Sequence, residues 1–299
     1  MSSRPIRLPV EQQDAPAPVR RGIKKGLYLI PSLFTAANIG MGFYAIMAAT
    51  RAFQLVGLGG EQNLIFARNF FDNAAKAIGW AVIFDALDGR IARMTKTTTE
   101  IGVQLDSIAD VVTFGIAPAV LAYTWGYGSA LREGSDAHKL GWFLSFMYLM
   151  CGAFRLARFN VQATRPRPLA EGTIKVDKKN FVGLPIPMAA GLIAAIVHFA
   201  PLPLVRYAPQ AAEYYSGLMM LLVACLSILM VSTIRYSSFK SVGTKSRSTR
   251  TILLIVSICM LVYLYSQVVL LLLTSIYVLL GLVARLGGIF RRPHDSEQE

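Results

Sequence analysis

The chain has 299 residues, of which 54% are apolar and only 16% charged, and its mean hydropathy is +0.49. Apolar stretches of membrane-spanning length recur along it, which excludes an ordinary soluble enzyme and points to an all-α, polytopic membrane helix bundle. The net charge of +13 lies mainly between those stretches, so it suits anionic headgroups and phosphorylated substrates and speaks against a nucleic-acid partner.

Residues 1–26 are polar, basic and proline-containing, without the apolar core of a cleaved signal peptide, and are expected to form a cytoplasmic tail. A first span is expected over residues 27–50, holding Pro31, Thr35 and Asn38. Residues 61–76 are more mixed. There Arg68, Asp72 and Lys76 recur at i, i+4 and i+8, which predicts a surface helix feeding a second span over 77–93. Further spans are expected over 103–127, 140–158, 181–202 and 217–234. Residues 251–284 are uncharged and mostly apolar. As one straight helix they would be about 51 Å long against a hydrocarbon core of about 30 Å. The run must therefore bend, and Tyr265-Ser266-Gln267 is its most polar point. About eight helices result: a six-helix core within 27–240, a terminal pair over 251–284, and a cytoplasmic tail over 285–299. Cys151, Cys225 and Cys259 all fall in apolar segments at unrelated spacings and read as small buried hydrophobes.

In this layout 24 of the 30 lysines and arginines fall on the side of the N-terminus. The positive-inside bias places both termini and the polar loop 94–101 in the cytoplasm of a bacterial-type inner membrane.

That loop lies inside the stretch DALDGRIARMTKTTTEIGVQLDSIAD, which runs from Asp85 to Asp110 between two apolar runs. Asp85 and Asp88 are spaced i, i+3 and share one helical face; Asp106 and Asp110 are spaced i, i+4 on the next helix. The short polar connection makes the two helices antiparallel neighbours, so their acidic faces converge. Gly89 and Gly102 leave room for close approach of backbone or ligand. Each carboxylate at mid-bilayer costs up to about 2.5–3.5 kcal/mol, and four together repel. A hard divalent cation, Mg²⁺, Mn²⁺ or Ca²⁺, relieves both costs, and four carboxylates suffice for two ions that share ligands. Solvated loop acids paired with Arg90 and Arg93 are the plainer alternative. A carrier or channel for a divalent ion is a third, but it calls for carboxylates at several depths along a pore rather than one cluster beside glycines and basic residues.

Asp85, Asp88, Gly89, Ala92, Arg93, Gly102, Asp106 and Asp110 together read D-x2-D-G-x2-A-R-x8-G-x3-D-x3-D. This pattern resembles the signature of the CDP-alcohol phosphotransferase family with every position filled. The resemblance implies an enzyme that transfers a substituted phosphate from a CDP-linked alcohol to an acceptor hydroxyl and releases CMP. It further implies that the four aspartates ligate the metal ions, that Asp110 also acts as base, and that Gly89, Arg93 and Gly102 hold the cytidine and diphosphate. The stretches PSLFTAANIGMGFYA, DSIADVVTFGIAPA, CGAFRLARFN and GLPIPMAAG resemble the branch of the family that uses CDP-diacylglycerol and L-serine in phospholipid synthesis. Glycerol 3-phosphate, inositol, inositol phosphate and choline are the rival acceptors. A homodimer is compatible with this reading.

Thr35 and Asn38, one turn apart in the first span, are candidates to face the nucleotide or to bond between helices. Arg155 and Arg158 close the fourth span at the height of the aspartates. A guanidinium fork there suits the carboxylate of free serine, or serves as ordinary positive-inside anchoring. Asn160 is grouped with them as a candidate acceptor ligand, or as a simple helix end.

Overall fold

The computed structural model describes residues 21–95, 100–164, 180–232, 235–237 and 249–290. The chain is an all-α bundle. Among the described residues, six helical segments are long and apolar enough to cross a membrane: Leu33–Leu58, Ile101–Tyr127, Asp136–Val161, Ile186–Arg206, Pro209–Val231 and Cys259–Val283.

Helix α1 (Arg21–Leu58) and helix α2 (Glu61–Thr95) form an antiparallel hairpin. The turn between them is made by Gly59 and Gly60, at φ of 68° and 84°. Both lie in the left-handed region that ends helices cheaply only with glycine. Asn63 Nδ2 then donates to the Gly59 carbonyl at 2.8 Å. The two helices pack along each other, and alanines line the buried side of both: Ala45, Ala48, Ala49 and Ala52 on α1, and Ala67, Ala74, Ala77 and Ala81 on α2. Small side chains at helical spacing let two backbones approach closely, which is how helices associate where lipid offers no hydrophobic contrast.

One expectation is corrected here. Residues 61–76 are not a separate surface helix; they are the first half of a continuous α2. Arg68 and Lys76 on that stripe are exposed, as expected of a surface, and Asp72 alone of the three is partly buried. Asp72 is turned inward, with Lys76 Nζ on Oδ2 at 2.6 Å and the buried His198 on Oδ1 at 2.5 Å.

The next rod changes helical type along its length. Helix α3 (Glu100–Asp110) passes into a π segment, Val111–Ile116, then α4 (Ala117–Ala122), then a second π segment, Tyr123–Tyr127. Such widened turns insert a residue and recur near functional sites. The first one begins directly after Asp110. Its Thr113 hydroxyl donates to the Asn38 carbonyl of α1 at 3.1 Å. The Phe114 carbonyl accepts from the Tyr148 hydroxyl at 3.2 Å. The end of α3 is thereby tied to α1 on one side and to α5 (Asp136–Thr164) on the other.

Helix α6 (Ile186–Phe199) and helix α7 (Pro209–Val231) complete the core, joined by a 3-10 turn at Leu204–Arg206. Two three-residue strands, β1 (Asn180–Val182) and β2 (Arg235–Ser237), pair antiparallel before α6 and after α7, with Phe181 opposite Tyr236. Helix α8 (Thr249–Phe290) packs on α6, and its backbone leaves helical geometry at Tyr265, with φ −132° and ψ 45°. Its flanks continue as helix, so the most polar point of the run is where the rod breaks. All three cysteines are free, but Cys225 and Cys259 are exposed rather than buried. A small thiol on a lipid-facing helix surface meets no penalty that would drive it inward.

Candidate active site

The four aspartates come together at one end of the bundle, yet they do not play equivalent geometric parts. One carboxylate oxygen from each of Asp85, Asp106 and Asp110 lies within 4.8 Å of the other two. At that separation, an ionised pair repels by about 3.5 kcal/mol for an effective dielectric of about 20. Asp88, buried at 7% exposure, lies one turn from Asp85 and accepts a hydrogen bond from the Thr35 hydroxyl of α1. Thr35 thus contacts the acidic cluster through Asp88.

The surroundings fit a bound cation better than a self-satisfied carboxylate cluster. Asp110 is 9% exposed, and its Oδ1 has no hydrogen-bond partner among the described residues. No described lysine or arginine forms an ion pair with any of the four. Buried carboxylate oxygens without donors are costly unless a cation meets them. The ligand set is all oxygen, which suits a hard divalent ion. Asn38 is 1% exposed, and neither its Oδ1 nor its Nδ2 has a partner among the described residues. Its main-chain carbonyl is held by Thr113, so the side-chain amide is left over for a ligand near the carboxylates.

The other sequence candidates separate. Gly89 and Gly102 stand exposed on α2 and α3, flanking the cluster. Arg93 lies on the last turns of α2, with its side chain outside the described residues, as are residues 96–99 of the connecting loop. Arg155 of α5 is half-buried and within electrostatic range of Asp110, and its Nε has no hydrogen-bond partner among the described residues. Arg158, three residues further along, is exposed. Asn160 is committed locally. Its Nδ2 donates to Ser107 Oγ at 2.8 Å, and Ser107 in turn donates to the Val103 carbonyl at 3.0 Å. It pins the end of α5 to α3 beside Asp106.

Sequence reasoning missed two partners, Ser107 and Tyr277. Tyr277 of α8 lies within electrostatic range of Arg155. Ser107 adjoins Asp106 in the motif and was legible as a polar neighbour; Tyr277 had no local signal.

A bundle of helices long and apolar enough to cross a membrane, with a half-buried cluster of carboxylates that could hold a metal ion where two consecutive helices meet, is the frame of a multi-pass membrane enzyme. The comparisons narrow that class. The family model described as CDP-alcohol phosphatidyltransferase matches residues 28–229, and the chain belongs to that family. It is 33% identical over 220 residues to the CDP-diacylglycerol--serine O-phosphatidyltransferase of Helicobacter pylori, covering 72% of this chain and 75% of that protein. It is 30% identical over 249 residues to the protein of the same name from Mycobacterium tuberculosis, covering 80% and 71%. A third relative, an archaetidylserine synthase from Methanothermobacter thermautotrophicus, is 31% identical over 169 residues, covering 56% of this chain and 58% of that one.

Proposed function

We propose that the protein transfers the phosphatidyl group of CDP-diacylglycerol to the hydroxyl of L-serine, giving phosphatidylserine and CMP. The observation that carries the chemistry is the convergence of Asp85, Asp106 and Asp110 within 4.8 Å, in a family whose members act on CDP-alcohols. The relatives named for serine support the choice of acceptor.

Asp85, Asp88, Asp106 and Asp110 are the residues that would hold two divalent ions, Mg²⁺ or Mn²⁺. When bound, such ions neutralise the diphosphate and stabilise the charge that develops on the leaving CMP. Gly89 and Gly102 leave the diphosphate free to approach the backbone, and the Asn38 amide and Arg93 are placed on the elements that would hold the nucleotide. Asp88, held by Thr35, is fixed in one rotamer before substrate arrives, which lowers the ordering cost at binding. The diacylglycerol chains lie along the apolar helix faces, so the lipid never leaves the bilayer.

Asp110 is the base. It takes the proton of the serine hydroxyl as that oxygen forms a bond to the phosphorus carrying diacylglycerol. The bond from that phosphorus to the CMP oxygen breaks, and CMP leaves. Arg155, beside Asp110, meets the serine carboxylate and so orients the hydroxyl toward the base. Both the polar loop and the site face the cytoplasm, where serine and CMP are soluble.

Purified protein assayed with CDP-diacylglycerol and a panel of acceptors tests this reading. Phosphatidylserine should form with serine, and excess chelator should abolish turnover until Mg²⁺ or Mn²⁺ is restored. Product from glycerol 3-phosphate but none from serine would leave the family standing and overturn the acceptor. Full activity in chelator would overturn the metal-dependent mechanism.

A further inference from the structure

Asp106 and Asp110 share α3, but the rod is not supported equally at the two positions. Past Asp110 it is tied twice. The Thr113 hydroxyl donates to the Asn38 carbonyl of α1 at 3.1 Å, and the Tyr148 hydroxyl of α5 donates to the Phe114 carbonyl at 3.2 Å. On the Asp106 side, α3 packs on α1, yet the five residues from Ile101 to Leu105 are all exposed. There α3 meets α5 through Asn160, whose Nδ2 donates to Ser107 Oγ at 2.8 Å. Among residues 157–161, at the end of α5, only Asn160 is not exposed. The bond also has a fixed direction. Ser107 has one hydroxyl hydrogen, and it goes to the Val103 carbonyl at 3.0 Å. Its oxygen can therefore only accept from α5, and a side-chain amide, with its two donors, supplies what a carboxylate could not.

We propose that Asn160 is a positioning residue for Asp106. Through Ser107 it fixes the height and rotation of α3, so that the Asp106 carboxylate stays within 4.8 Å of the Asp85 and Asp110 oxygens. Successive side chains on a helix are about 100° apart, so α5 can hold Ser107 while Asp106 turns to Asp85 of α2. Within one hydrogen-bonded turn the backbone is stiff, and fixing one residue fixes the next. Groups that orient metal ligands are worth about 10–100-fold in metal affinity. Asn160 acts one residue removed from the ligand, which places it at the lower end of that range. Its work is then on metal ligation and not on the acceptor. This inference rests on the reading in which the four aspartates hold divalent ions.

The test is thermal unfolding of the full chain titrated with Mn²⁺, which should raise the Tm of the native chain as it binds the folded state. Asn160→Ala and Ser107→Ala should each move the Mn²⁺ concentration for half of that rise upward by about tenfold. Ser107→Ala is the arm that spares the fold, since alanine is the best helix former and only the hydroxyl is lost. The double variant should move the midpoint no further, because the two residues form one link. In steady-state kinetics the Mn²⁺ needed for half-maximal activity should shift in parallel, while the apparent KM for serine at saturating Mn²⁺ stays within about twofold. An unmoved Mn²⁺ midpoint in both variants overturns the inference, and so do fully additive effects in the double variant. A raised serine KM at saturating Mn²⁺ overturns it too, by making Asn160 an acceptor ligand. A lower metal-free Tm with the midpoint unchanged reduces the bond to a helix tie and has the same result. Absence of any Tm response to Mn²⁺ in the native chain is a separate failure, that of the metal reading itself.

Discussion

Asp110 carries opposing demands. It closes the carboxylate triangle with Asp85 and Asp106, and it lies where the helix widens into the π segment at Val111. Proximity to a cation weakens a carboxylate as a base, but the same charge stabilises the alkoxide as it forms. A serine hydroxyl is a poor nucleophile until its proton leaves, and a positioned base supplies about 10²–10⁴-fold. Asp110→Asn should therefore lower kcat by at least two orders of magnitude, while CMP still protects the protein from thermal unfolding. Near-normal kcat with unchanged metal affinity would remove Asp110 from the proton transfer. Asp88 differs from its three neighbours because Thr35 already donates to it. Thr35→Val deletes a buried hydrogen bond to a charged group, worth about 1.5–3 kcal/mol. Its expected signature is a raised metal requirement, measured as the Mg²⁺ or Mn²⁺ concentration for half-maximal activity; an unchanged requirement would make the contact purely structural.

At the scale of elements, the contact between α1 and the π segment sets the height of the site. Gly42 lies one turn after Asn38, and a Cβ added there would lie 2.4 Å from Thr113 Oγ1 and 2.8 Å from Thr113 Cα. The second of these atoms is backbone, so the clash cannot be relieved by a rotamer change. Gly42→Ala should cost about 1–3 kcal/mol and push the π segment, with Asp110 at its start, away from α1. A lower Tm and reduced activity together are the expected result. Gly40→Ala is the matched control. Nothing lies within 4 Å of its Cβ position, and replacing a helical glycine by alanine gains about 0.5–1 kcal/mol. Equal behaviour of the two variants would show that the α1–π contact does not govern the site.

For the whole molecule, the decisive quantity is the charge asymmetry across the membrane. With 24 of 30 basic residues on one side in the expected layout, we propose that both termini and the loop containing Thr97 face the cytoplasm. A cysteine placed at position 97 in an otherwise cysteine-free chain should react with an impermeant thiol reagent only after cells are opened. Labelling in intact cells would invert the orientation and put the site on the outer face. The native thiols must be removed first, because Cys225 and Cys259 are exposed.

The pairing of Asp85 with Asp88, and of Asp106 with Asp110, was legible because the helical period is local: residues three or four apart share a face whatever the rest of the chain does. Membrane character was legible for a similar reason, since apolar run length is a property of consecutive residues. The break at Tyr265 followed from length against bilayer thickness. Spacing could not tell that residues 61–76 and 77–93 form one helix, nor that Asp72 alone of the charged stripe turns toward a buried partner, His198, 126 positions away. Nor could it separate Asp88 from the other three aspartates, assign Asn160 to Ser107, or bring Tyr277 of α8 to Arg155. Each of those depends on which helix lies beside which, and that is decided by small-residue packing and buried polar pairing between segments far apart in the chain, terms that no window of consecutive residues contains.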